Sequence, residues 1–86
     1  MPSAVSFAGG DGSDCATAVQ VLGAANSRVG VEAEYAWLRQ YHPGHQVMGQ
    51  ALIECSGRPA DRLSIRTADG ATRDVYFDVS DFFGKF

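Results

Sequence analysis

Two stretches near the carboxyl terminus constrain the fold more than anything else in this chain. Leu63, Ile65 and Thr67 alternate with Arg62, Ser64 and Arg66, and Val75, Phe77 and Val79 alternate with Asp74, Tyr76 and Asp78. A period of two, with one apolar and one polar face, is what a half-buried antiparallel strand requires. Asp69-Gly70 between them marks a hairpin. Parity then selects the loop. A two-residue loop sets Ile65 opposite Asp74, and because cross-strand partners share a face, it carries a carboxylate onto the apolar side. A three-residue loop, Ala68-Asp69-Gly70, sets Leu63 opposite Val75 instead. Its usual form ends on a left-handed residue, a conformation Gly70 adopts without a Cβ penalty. Arg62 then faces Tyr76 on the outer side, with Asp74 and Asp78 diagonal to it, a solvated face with weak charge pairing.

Upstream, Val29 to His42 reads as one helix. Val31, Tyr35 and Leu38 fall on one face, and Ala33, Trp37 and Tyr41 form a stripe beside it. Asn26 or Ser27 caps its start, and Pro43-Gly44 ends it. Ala16 to Leu22 and Gln46 to Glu54 supply two more strands, and Ser56-Gly57-Arg58-Pro59 is a turn. Residues 1–14 are small and polar, with Gly9, Gly10 and Gly12 in a run that reads as a flexible amino-terminal arm. The domain proper is then residues 15–86. The element order β-α-β-β-β gives an α+β domain, one helix packed on one face of a four-stranded, mainly antiparallel sheet.

A chain of 86 residues, 45% hydrophobic and 20% charged, makes one small folded domain. Its formal net charge of -3 leaves no basic footprint for nucleic acid or an anionic membrane surface. No apolar run approaches the roughly 18–20 residues of a membrane span. Met1-Pro2-Ser3-Ala4 opens without a basic segment leading into a long apolar one, so a cytoplasmic location is expected, with export the alternative for a trimmed mature chain. On that expectation Cys15 and Cys55 are reduced thiols; export would let them pair, since both lie in or beside predicted strands.

Chemistry is sparse. Gly9-Gly10-Asp11-Gly12-Ser13-Asp14 matches the start of the calcium-binding nonapeptide, but that motif works in tandem copies and this is a single one, which reads as a linker. No Gly-Lys-Ser/Thr follows, so it is not a phosphate-binding loop. His42 and His45 flank a tight turn, and the two cysteines lie far from them and from each other, unlike the close ligand pairs of a structural zinc site. Neither cysteine is tied to a base, as a nucleophile requires. Asp74 and Asp78 share an outward face close to Arg62, which keeps them ionised rather than poised for acid–base work, and Asp81 adds nothing to them. No catalytic, cofactor-binding or metal-binding residue is assigned, and a small thiol or metal enzyme ranks last.

The aromatic end is the least ordinary feature. Phe82 and Phe83 are adjacent, so a regular backbone cannot aim both into one core. One of them is expected to cap the core, and the other to join Tyr76 or Phe86 in a small exposed apolar patch. Tyr76, Phe82, Phe83 and Phe86 therefore form the candidate interaction surface, for a protein partner or a weak homo-oligomer.

Glu34-Tyr35, Gly49-Gln50, Asp69-Gly70, Tyr76-Phe77-Asp78-Val79-Ser80 and Phe82-Phe83-Gly84-Lys85 resemble a group of small bacterial domains of unassigned function, over roughly residues 9–86. The helix followed by three strands with a central Asp-Gly turn also resembles PepSY-type domains, over residues 28–80. That second resemblance implies an exported domain with a regulatory or inhibitory role. The functional expectation is a non-catalytic binding domain of a bacterial protein; the alternative is an exported PepSY-like regulator of an enzyme or sensor of an envelope ligand.

Overall fold

The computed structural model describes residues 5–85. Six elements follow one another: β1 (Ser6–Gly9), β2 (Val19–Leu22), α1 (Ser27–Tyr41), β3 (Gln46–Cys55), β4 (Arg58–Arg66) and β5 (Thr72–Asp78). The strands form one five-stranded sheet in the order β1-β2-β5-β4-β3. The fold is α+β, as expected, with one helix and one more strand than the sequence reading supplied. The added strand is β1, which falls inside the segment read as a flexible arm and pairs antiparallel with β2, Ser6 opposite Leu22. Residues 1–4 of that segment lie outside the described residues. The sheet is mixed, because β2 runs parallel to β5 with Val19 opposite Phe77.

The hairpin has the odd loop that parity demands. Leu63 faces Val75 and Arg62 faces Tyr76. Thr67 and Ala71 close the loop, the Gly70 amide donates to the Thr67 carbonyl at 2.9 Å, and Gly70 has φ +90°. Alternation puts Leu63, Ile65, Val75 and Phe77 on one face, all of them buried. Val19 and Val21 of β2 continue that face, and α1 lies across it.

Asn26 caps α1, its side chain accepting from the Val29 amide at 3.0 Å. The buried stripe is Gly30, Ala33, Glu34, Trp37 and Leu38. That is rotated from the expected one: Tyr41 is exposed, Val31 and Tyr35 only half-buried, and Glu34 occupies a central position. Trp37 stands edge-on to Phe77, ring centroids 5.4 Å apart and planes at 89°. The carboxyl end closes the opposite end of the helix. Phe82 is buried against Gly30, where a Cβ would come within 2.4 Å of its ring. The Lys85 carbonyl accepts from both the Ser27 amide and hydroxyl, and Asp81 accepts from the Gly23 amide at 2.8 Å. Each large apolar side chain buried in this way contributes about 1.5–3 kcal/mol of transfer free energy.

Candidate interaction surface

The expected aromatic patch divides. Phe82 caps the core, while Phe83 beside it is 54% exposed. Tyr76 sits half-buried on the outer face of the sheet opposite Arg62, in the middle of β5 rather than beside the carboxyl-terminal turn that carries Phe83. Phe86 lies outside the described residues. The outer-face charges also pair differently from expectation. Asp78 meets Arg58 at 3.2 Å and Asp74 accepts from the Ser64 hydroxyl at 2.7 Å, while the Arg62 Nε is buried without a partner.

A larger apolar surface lies at β3, where sequence periodicity gave no hint of one. β3 is ten residues long and pairs only with β4, so its far side is the free edge of the sheet. On the helix side its Val47, Gln50 and Leu52 stand opposite Ile65, Leu63 and Asp61. They should therefore lie under α1, but the helix covers the middle of the sheet and stops short of this strand. Val47 is 40% exposed, Met48 56% and Leu52 58%. The Tyr35 hydroxyl reaches over, donating to Gln50 Oε1 at 3.2 Å. Sheet edges are ordinarily guarded by charge, proline or a bulge. Here residues 46–53 contain no charged residue and no proline, and the single irregularity lies between Val47 and Gly49. The five residues from Gly49 to Ile53 are regular and uncharged, and Glu54 follows them.

Behind this edge, the helix carries a buried acid. Neither carboxyl oxygen of Glu34 has a hydrogen-bond partner, although the Asp61 carboxyl is its neighbour on β4. Burial is the main cause of its altered acidity and Asp61 the second; together they push the Glu34 carboxyl up to about 10, so it is protonated at neutral pH. Sequence periodicity placed Tyr35 and Val31 on this face and so missed Glu34. The spacing Gly30, Glu34, Leu38 at every fourth residue was the available signal.

Cys15 and Cys55 form a disulfide with Cα atoms 5.4 Å apart, which corrects the expectation of two free thiols. The expectation came from the lack of an export signal, whereas pairing is decided by the fold, which brings the loop before β2 to the end of β3. A thiol nucleophile is thereby removed from both positions. Among the described residues, no three His, Cys, Asp or Glu side chains converge as metal ligands. Nor, among the described residues, is any helix long and apolar enough to cross a membrane. The chain matches no protein-family model, no curated protein and no solved structure.

Proposed function

We propose that the chain is a non-catalytic protein-interaction domain that works in an oxidising compartment and binds an extended segment of a partner by strand addition to β3. One observation carries this reading: a long edge strand, uncharged from Gln46 to Ile53, whose Val47, Met48 and Leu52 the domain's own helix leaves uncovered. Added main-chain hydrogen bonds supply affinity in such pairing, and alternate side chains supply selectivity. The partner's inward residues would meet Leu52 and Gln50 on the helix side and Ile53 on the other. The bridge between Cys15 and Cys55 supports an oxidising compartment in place of the cytoplasm, since structural disulfides persist there. The same observation favours a second reading, drawn from the PepSY resemblance, in which the bound partner is an enzyme that the domain restrains outside the cytoplasm.

A random extended-peptide display library selected on the domain tests the interaction. Selected peptides are expected to shift the backbone amides of residues 49–54 in NMR spectra. Leu52→Lys, an exposed gatekeeper charge, should change stability by less than about 0.5 kcal/mol and abolish that binding. Selection of no peptide, or of peptides that bind Leu52→Lys equally well, would refute strand addition. A dimer that Leu52→Lys converts to monomer would give the edge to a second copy instead.

A further inference from the structure

At the opposite side of the helix lies a cleft of about 590 Å³, within the range of small-ligand sites. It opens between the end of β1, the loop at residues 10–13, the last turn of α1 and the start of β5. Phe7, Trp37 and Tyr41 bring three rings to it from two separate elements, joined by His42 and Arg73. Tyr41 is 58% and Phe7 40% exposed, whereas Trp37 is nearly buried and packs against Tyr41 with centroids 4.6 Å apart. The domain therefore leaves two apolar rings uncovered around one cleft.

The wall opposite the rings is braced. The Gly12 amide donates to the Thr17 carbonyl at 2.7 Å, and the Gly12 carbonyl accepts from the Tyr76 amide at 2.8 Å. Asp14 accepts from the Thr17 amide at 2.9 Å, and the adjoining Cys15 is bonded to Cys55. A wall fixed in this way costs little ordering on binding.

Charge decides what such a cleft accepts. Its two acids are engaged elsewhere: Asp11 accepts from the Ser13 amide at 3.0 Å, and Asp74 points to the outer face, bonded to Ser64. Arg73 stands opposite Ile65 and so projects to the helix side, where the rings are. Asp69 is within its electrostatic reach, but Arg73 forms no ion pair among the described residues. His42 is held below its ordinary pKa by burial, by Arg73 and by His45, so it offers a hydrogen bond and no charge at neutral pH. One unpaired guanidinium beside exposed rings complements a flat anion.

We propose that this cleft binds a small aromatic or heteroaromatic carboxylate, its ring against Tyr41 and Phe7 and its carboxylate on Arg73. The inference is independent of the β3 edge, which lies across the sheet.

Three ligands with one ring and different charge test it: indole-3-acetate, indole-3-ethanol and tryptamine. Each is titrated into the isotope-labelled, disulfide-bonded protein, following the amides of Gly10, Gly12, His42 and Arg73. Indole-3-acetate is expected to shift these signals saturably and to bind about five-fold or more tighter than the neutral alcohol, with tryptamine weakest. Arg73→Gln should bring the acetate down to the level of the alcohol and leave the alcohol unchanged. Tyr41→Ala should weaken both, and dispersed spectra of each variant report that it is folded. Absence of saturable shifts at the cleft, a preference for tryptamine, or an acetate preference that survives Arg73→Gln would each overturn the proposal.

Discussion

The loop at residues 68–70 and the loop at residues 10–14 both turn on a glycine of positive φ, Gly70 at +90° and Gly12 at +79°. They are held by opposite means. The hairpin loop is closed by its own neighbours: Thr67 pairs with Ala71, the Thr67 hydroxyl donates to the Asp69 carboxylate, and a Cβ on Gly70 would meet nothing. The amino-terminal loop is held by distant parts of the chain. A Cβ on Gly12 would come within 2.9 Å of Val75 Cγ1 and 3.2 Å of the Tyr76 carbonyl, and Cys15 is bonded to Cys55 across 40 positions. One loop is a local device and the other is a tertiary joint, even though both look like glycine punctuation.

The largest effect that separates them is loss of the disulfide. Closing a loop of 40 residues stabilises by about 4 kcal/mol through the unfolded chain. The Cys15→Ala/Cys55→Ala variant is therefore expected to lose about that much in denaturant melts, and the wild type under reductant should fall with it. A loss below about 1 kcal/mol would mean that the amino-terminal loop is not joined to the rest of the fold through this bond.

Next in size is the contrast between the glycines themselves. Gly12→Val adds left-handed strain of about 1–2 kcal/mol to an overpacked contact and should cost about 3 kcal/mol in all. Gly70→Val carries only the strain and should cost about 1–2 kcal/mol. The reading of Gly12 as part of a mobile arm implies no cost there at all. Equal losses at the two sites, measured by chemical denaturation, would erase the distinction between the loops.

This difference also explains what could be read from the sequence. Residues 61–79 were legible down to the register because the period of two, the Asp-Gly turn and the parity of Leu63 against Val75 are all local relations, whereas Arg58-Pro59, read as part of a turn, open β4. β1 was not, since Ser6-Phe7-Ala8-Gly9 offers one large apolar residue and no period, and it is a strand only because β2 lies beside it. The parallel contact of β2 with β5 joins residues far apart in sequence, and so does the bridge. Of the candidate surface, the burial of one phenylalanine in the pair Phe82-Phe83 followed from adjacency alone. The exposure of β3 did not. Its alternation resembles that of any half-buried strand, and only the reach of α1 decides that Leu52 and Val47 stay outside.

The pH-dependent effect concerns Glu34, which like Gly12 is set by what surrounds it rather than by its neighbours in sequence. An unfolded chain ionises this carboxyl near its ordinary 4.5, whereas the folded one holds its proton up to about 10. Below 4.5 both states are protonated and stability is at its full value. Between the two values the folded state binds one proton more than the unfolded state, so stability falls as pH rises, by at most about 1.4 kcal/mol per pH unit. Glu34→Gln keeps the shape but has no proton to lose. It should lie within about 1 kcal/mol of the wild type near pH 5 and gain on it as pH rises, by up to about 4 kcal/mol at pH 8, with a melting temperature that no longer declines across that interval. A wild type equally stable at pH 5 and pH 8, or a Gln variant that declines in parallel, would show that the Glu34 carboxyl reaches water or a partner. The helix would then not seal that part of the sheet as tightly as the amino-terminal loop is sealed at Gly12.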